Sequence, residues 1–544
     1  MRAWRFVVSA ACAPLMLWQA DAQAQEPPVY QIQSKWIGER FLVADGERVK
    51  SGPVEEDKAS WSIAPEGDAF LIKNVGANAY LTLEQGSKTL TFSKMQPRDD
   101  LGKWSIEPSD TGVVISNKST GKYVSIEKLK EPASADLDKR PGAKNWTSGL
   151  WNLVHVGGGE PLKFYRKGEV LVESPAYGSK IKGDTVLKIR APGWSEVEVK
   201  SWLPGGKFGK DNSLGEVKLD RDGTGSMVFP ADKYPHGPIT IRVMASAGGT
   251  KNNYYLMVYN EGGIPWNEGA PAEPPPGAKG MELVYLDDFN EPELSISKDG
   301  KGTKYMSHKP GGGDFSGIQF ADYEDAAKNP FSQVDTFLRI RADQNKNSTG
   351  LIASINVDGE GFTAKAPCYF ECRFIAQSAP VTWPAFWVMT NYMIKERDKK
   401  PLRRTSDELD IIEAYGGEGP KTPNAPGYMI HAHYWNQAPD GGKDYSQDRF
   451  AGPIHMTKLK GGGGASWFET FHTYGLYVGK DETIYYCDDI EVARHKTAKL
   501  SKEEPLFFFV NFAVGGASGW KTDLSQYGGL ADMYVDYVRV YQGK

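Results

Sequence analysis

Glu408-Leu409-Asp410-Ile411-Ile412-Glu413 sets three carboxylates inside an apolar run that reads as a buried β-strand. Acids are rarely buried unless they are paired or used chemically. Side chains of a strand alternate between its two faces, so Glu408 and Asp410 share one face and Glu413 should point to the other. One extra residue, a β-bulge, would return Glu413 to the face of its companions, and bulges occur beside active sites. Three acids then line one side of a sheet, with Leu409 and one isoleucine packed behind them. Like charges that close cannot all ionise at their usual pKa, so one holds a proton while another stays anionic. Cleavage of a glycosidic bond needs that division of labour. The plain alternative is an acidic edge on a solvated sheet.

Neighbouring segments extend this reading. Trp383 and Trp387 have even spacing and share a strand face, where they would stack sugar rings. Phe386 and Val388 need burial too, so Trp387 competes for a place in the core and Trp383 is the better cleft candidate. In Ile430-His431-Ala432-His433-Tyr434-Trp435, alternation puts His431, His433 and Trp435 on one face. His433 is then placed to hydrogen-bond an acid or the substrate. The pair lacks a third ligand at zinc spacing, and no His-Glu-x-x-His or Cys-x-x-Cys occurs. A basic run from Met393 to Thr405 falls between the tryptophan and acid strands. It reads as a solvated loop, or as a grip for a sulfated or uronate-bearing glycan.

Several motifs resemble glycoside hydrolase family 16, and they occur in that family's order. They are Leu286-Asp287-Asp288-Phe289-Asn290, Tyr369-Phe370-Glu371-Cys372-Arg373, Trp383-Pro384-Ala385-Phe386-Trp387, the acid run itself and Phe471-His472-Thr473-Tyr474-Gly475. Asn511-Phe512-Ala513-Val514-Gly515-Gly516 and Val535-Asp536-Tyr537-Val538-Arg539-Val540-Tyr541 complete the set. The resemblance covers residues 281–544. It implies a β-jelly-roll sandwich and a retaining endo-β-glycosidase acting on internal linkages of a β-1,3-glucan or β-galactan. Glu408 would be the nucleophile, Glu413 the general acid/base, and Asp410 would orient Glu408. Trp383, Trp387, His433, Trp435 and Asn511 would contact the polysaccharide. No cofactor is required, although relatives often hold calcium where the chain ends pair, here at Asp288 and Asp536. An acidic surface pair is the alternative there. Asp288 stands where relatives often carry glutamate, and Pro367-Cys368 replaces a glycine-containing turn. Transglycosylation is a nearby alternative, and a noncatalytic glycan-binding protein is the rival from another class.

At 544 residues the chain exceeds one ordinary domain. Its 60 glycines, 34 prolines, 26 tyrosines and 15 tryptophans suggest turn-rich all-β structure. A net charge of −5 offers no footprint for nucleic acid or an anionic membrane. Residues 1–24 read as a signal peptide, with Arg2 and Arg5 before an apolar stretch and Ala22-Gln23-Ala24 as the cleavage site. No other segment has the length and apolarity of a membrane span. A secreted or periplasmic monomer is expected. Cys368, Cys372 and Cys487 form at most one bridge, and the first two lie too far apart along one strand to bond each other.

Upstream, Phe41-Leu42-Val43, Tyr80-Leu81-Thr82 and Tyr123-Val124-Ser125 recur at intervals of 39 and 43, followed by Trp61, Trp104 and Trp151. Such repeats over residues 29–155 suggest a β-trefoil, similar to ricin-type or fascin-like trefoils, many of which bind sugars. The Gln-x-Trp signature of the ricin type is absent, and these tryptophans read as core. Residues 160–261 alternate in short strands and suggest an immunoglobulin-like spacer. Residues 262–280 form a proline-rich linker ahead of the catalytic segment.

Overall fold

The computed structural model describes residues 26–544 apart from 110–111, 128–131, 143–144, 204–211, 266–268, 396–404, 418–426, 436–449, 460–464 and 517–521. The expected leader and nearly all of the basic run lie outside these residues. The chain divides into two compact units, Met1–Lys167 and Gly168–Lys544. Regular structure is almost wholly β, and no helix among the described residues is long and apolar enough to cross a membrane.

In the first unit six strands close a ring. Val29–Ser34, Ser60–Glu66, Ala69–Asn74, Trp104–Ser109, Gly112–Asn117 and Trp151–Gly157 each pair with the next, and the last returns to the first. Three further pairs, Phe41–Asp45 with Arg48–Gly52, Ala79–Leu83 with Leu90–Ser93, and Tyr123–Ser125 with Ser134–Leu137, make hairpins. The repeated tryptophans are fully buried at its centre. Each indole N–H donates to the middle residue of its repeat's aromatic triplet: Trp61 to the Leu42 carbonyl at 2.9 Å, Trp104 to Leu81 at 2.9 Å and Trp151 to Val124 at 3.2 Å. A buried indole needs such an acceptor, which explains why triplet and tryptophan recur together.

The second unit holds four sheets. Residues 168–261 supply a three-stranded and a five-stranded sheet. The rest forms two eight-stranded sheets packed over a shared apolar core. One is built around Leu530–Gln542, flanked by Cys368–Ala376 and Phe337–Asp343. In the other, Leu506–Val514, Thr382–Thr390, Ser406–Ala414 and Tyr428–Trp435 lie side by side. The strands named in each sheet pair antiparallel, so each presents one face to the core and one outward. Leu506, Phe508, Val510, Phe386, Val388, Leu409, Ile430 and Ala432 fill the core. Trp383, Trp387, Phe507 and Phe509 gather on the opposite face.

Residues 168–261, most of the segment expected as a spacer over 160–261, fall in one compact unit with the jelly roll. Met257 and Tyr259 are buried with Phe337, Ile375, Phe471 and Tyr534 of the jelly roll. Gln377 Nε2 donates to the Tyr255 carbonyl at 2.8 Å, and Gln526 Nε2 to that of Val170 at 3.0 Å. The proline-rich segment likewise lies against the sandwich. Arg539 Nη1 donates to the Pro271 carbonyl at 2.8 Å, and a Cβ on Gly277 would come within 2.5 Å of the Tyr369 ring. Backbone carbonyls that proline leaves without a ladder are thus met by a buried arginine. Cys368, Cys372 and Cys487 are buried free thiols.

Candidate active site

The acid strand carries the bulge that its spacing requires. Glu408 pairs with Met389, Asp410 with Trp387, and Glu413 with Ala385, so six residues on one strand answer five on the other. Both Ile411 and Ile412 enter the inter-sheet core, where a regular strand would bury one. Glu408, Asp410 and Glu413 therefore share the outward face.

The next strand aligns a column of rings beside the acids. His431 and His433 stack at 5.4 Å between centroids, and His433 and Trp435 at 5.4 Å. Each acid reaches past its own ladder partner to the ring two residues farther along. Glu408 is opposite His433, yet its Oε2 accepts from Trp435 Nε1 at 3.0 Å. Asp410 is opposite His431, and its Oδ2 lies 3.4 Å from His433 Nε2. Glu413 is opposite Met429, and its Oε2 is bonded to His431 Nδ1. The diagonal contact is within reach of long side chains on a twisted antiparallel pair.

Electrostatics separate the three acids. Asp410 is 3% exposed. Burial, then Glu413 and Glu408, raise its carboxyl to about 8, so it holds a proton at neutral pH. Burial also raises Glu408, while Lys309, His433 and the Trp435 indole oppose that rise. Burial tends to lower His431, but its bond to Glu413 outweighs this and the imidazole is raised. Lys309 was not legible in the strand pattern, because it sits on a loop about a hundred residues upstream. Its Nζ lies 5.4 Å above the Trp387 ring. Neighbouring His308 fixes the loop, with Nδ1 3.1 Å from Asp314 and Nε2 2.5 Å from Asp322.

The expected substrate contacts divide. Trp383 is half-buried between Phe315 and Tyr415, with centroids 5.2 and 5.3 Å away. His433 and Trp435 are half-buried on the acid face. Trp387, for which a core place competed with a substrate contact, is 4% exposed, stacked on Phe509 at 3.8 Å and covered by Lys309. Asn511 is fully buried and braces the tryptophans. Its Oδ1 accepts from Trp387 Nε1 at 2.8 Å and its Nδ2 donates to the Trp383 carbonyl at 3.2 Å. Asp288 and Asp536 do not fit a calcium ion. Asp536 is paired with Arg373 and accepts from the Gly269 amide at 3.0 Å, so a guanidinium already supplies the positive charge.

A bulged strand of acids on the outer face of a jelly-roll sandwich, beside stacked rings, makes up the candidate site. No protein-family model matches the chain. It is similar to the endo-1,3-1,4-beta-glycanase EglC of Rhizobium meliloti, 28% identical over 279 residues that cover 48% of this chain and 52% of EglC. ExsH of the same organism, also an endo-1,3-1,4-beta-glycanase, is 28% identical over 40% of this chain and 40% of its own. Glucan endo-1,3-beta-glucosidase A1 of Niallia circulans is 24% identical over 50% of this chain and 39% of its own. This chain thus spans about half or less of the length of these relatives. Among solved structures, a laminarinase from Flavobacterium sp. UMI-01 aligns with 48% of the chain and 100% of its own at 18% identity and a TM-score of 0.35. The kappa-carrageenase of Pseudoalteromonas carrageenovora covers 50% and 99% at 16% identity and a TM-score of 0.36. The relatives agree with the resemblance to glycoside hydrolase family 16 read from the motifs.

Proposed function

We propose that the protein is a retaining endo-glycosidase that hydrolyses internal β-linkages of a β-1,3- or mixed β-1,3-1,4-glucan. The observation that carries this reading is the bulge that turns three carboxylates of one strand to a shared face, each beside a different ring. The names of the sequence relatives supply the substrate class. In the first step Glu413 donates its proton to the glycosidic oxygen as Glu408 attacks the anomeric carbon; the C–O bond breaks and an ester forms. Water then gives a proton to Glu413 and its oxygen to the anomeric carbon, releasing Glu408. Lys309 and the Trp435 indole favour the anionic form of Glu408 that the attack needs. The His431–Glu413 bond gives the acid/base a partner that takes up or returns charge as the proton moves. Trp383, on the same face, offers a ring to an adjacent sugar. A polymer substrate meets the enzyme outside the cell, which is what the expected leader over residues 1–24 would serve. The ring of six strands and three hairpins in the first unit we read as a β-trefoil.

Reducing-end release from β-1,3-glucan, mixed-linked β-glucan and β-galactan tests the proposal, with NMR of the first-formed anomer testing retention. Glu408→Gln is expected to abolish turnover, at least about a thousandfold, while folding and glycan binding persist. Full activity in that variant would remove Glu408 as nucleophile. An inverted first product would remove the covalent intermediate.

A further inference from the structure

We propose that His431, His433, Asp410 and Glu413 also form a binding site for a zinc-class divalent metal ion, and that loading it blocks catalysis. One donor atom from each of the four lies within 4.8 Å of every other. Two imidazoles with two carboxylates make a nitrogen–oxygen set that suits Zn2+ and discriminates against the all-oxygen preference of Ca2+ and Mg2+. Around a tetrahedral ion with bonds of about 2.0–2.1 Å, donors stand roughly 3.3–3.4 Å apart. His433 Nε2 and Asp410 Oδ2 already stand 3.4 Å apart. Rotations of side chains on adjacent strands would adjust the remaining donors, with His431 and Glu413 parting from their direct bond to admit the ion.

A second observation points to a ligand. Asp410 Oδ2 is buried and has no hydrogen-bond partner among the described residues. A buried carboxyl oxygen without a hydrogen-bond partner is costly, and a cation that takes the place of the carboxyl's proton would satisfy it. Asp410 is aimed along the ring column at His433, so the orphaned oxygen faces the other donors. Metal ligands bind in their deprotonated forms, so binding releases protons and strengthens with pH. The metal site stands on geometry alone. The block on catalysis also rests on the reading of Glu413 as acid/base, because a carboxylate bound to zinc cannot deliver a proton to a leaving group.

Calorimetric titration of the chelator-stripped full chain with Zn2+ tests binding without any use of activity. The expected result is one ion per chain at micromolar or tighter affinity, at least tenfold weaker about one and a half pH units below neutrality, with no comparable heat from Ca2+ or Mg2+. The double variant His431→Gln/His433→Gln should lose at least tenfold in affinity, with folding checked by circular dichroism. Asp410→Asn, which keeps the side chain's size, should weaken binding in the same way if the double variant fails to fold. Co2+ should give the d–d absorption of a four-coordinate site in the wild type and lose it in the variants. Unchanged affinity in a folded variant, or no binding at millimolar Zn2+, would overturn the site. If Zn2+ binds as expected but the stripped protein hydrolyses no glucan, the hydrolase reading fails and the metal site stands. If hydrolysis is intact in the fully loaded protein, the block fails.

Discussion

Asp410 sits between two glutamates on a face that excludes most water, and its proton has a consequence for stability. Its carboxyl is raised from 3.8 to about 8, first by burial and then by Glu413 and Glu408. In the unfolded chain it ionises near its ordinary value. Between roughly pH 4 and 8 the native state therefore binds more protons than the unfolded one, and stability falls as pH rises, by up to about 1.4 kcal/mol per pH unit. Below that window the favourable contribution is fully present; above it, it is lost. His431 is also raised and acts in the same direction. Asp410→Asn removes one of these titrations, so the urea midpoint of wild type minus variant should decline between about pH 5 and 8. A flat difference would place the proton elsewhere. The need for such a proton was legible in the sequence, since three acids on one strand face dictate it. Lys309 was not, because a loop cation carries no periodicity and only the tertiary fold brings it to Trp387. Alternation likewise set the face of Trp387, but could not show the cation and Phe509 that cover it, because both come from elsewhere.

At the level of strands, the requirement for an extra residue between Asp410 and Glu413 followed from parity alone. The ring column followed in part, because His431, His433 and Trp435 alternate. The diagonal grip of each ring on an acid did not, because it depends on how long side chains lean across a twisted antiparallel pair. Asn511 shows a further limit. Motif position marks it for the site, but only coordinates separate a contact to substrate from a brace beneath it. Its amide ties two positions on the tryptophan strand, at Trp387 Nε1 and the Trp383 carbonyl. Asn511→Ala should leave the buried indole N–H unpaired and cost about 1–3 kcal/mol, seen as a lower denaturant midpoint with unchanged slope. Trp383 loses its backbone anchor in that variant, so KM for glucan should rise more than kcat falls. A loss confined to kcat would place Asn511 in contact with the reacting atoms.

At the scale of the whole molecule, the sheets of residues 168–261 share a compact unit with the jelly roll. The sequence suggested a spacer and a stiff linker because proline-rich stretches usually separate bodies that move independently. Pattern alone could not show that the apolar residues Met257 and Tyr259 face outward from their own sheet toward Phe337, Ile375, Phe471 and Tyr534. That shared cluster makes the two segments one cooperative body, so a chain beginning at Gly168 should melt in a single calorimetric transition. A chain beginning at Met281 would expose the jelly-roll side of the cluster, at about 1.5–3 kcal/mol for each large apolar side chain returned to water. It would also strip Arg539 of the carbonyl of Pro271, leaving a buried guanidinium short of an acceptor. The shorter chain is therefore expected to melt at least several degrees lower and to aggregate on heating. Glu408, Asp410 and Glu413 lie on the other eight-stranded sheet, so any soluble fraction should keep its activity per folded molecule. Equal melting temperatures for the two chains would support the spacer reading.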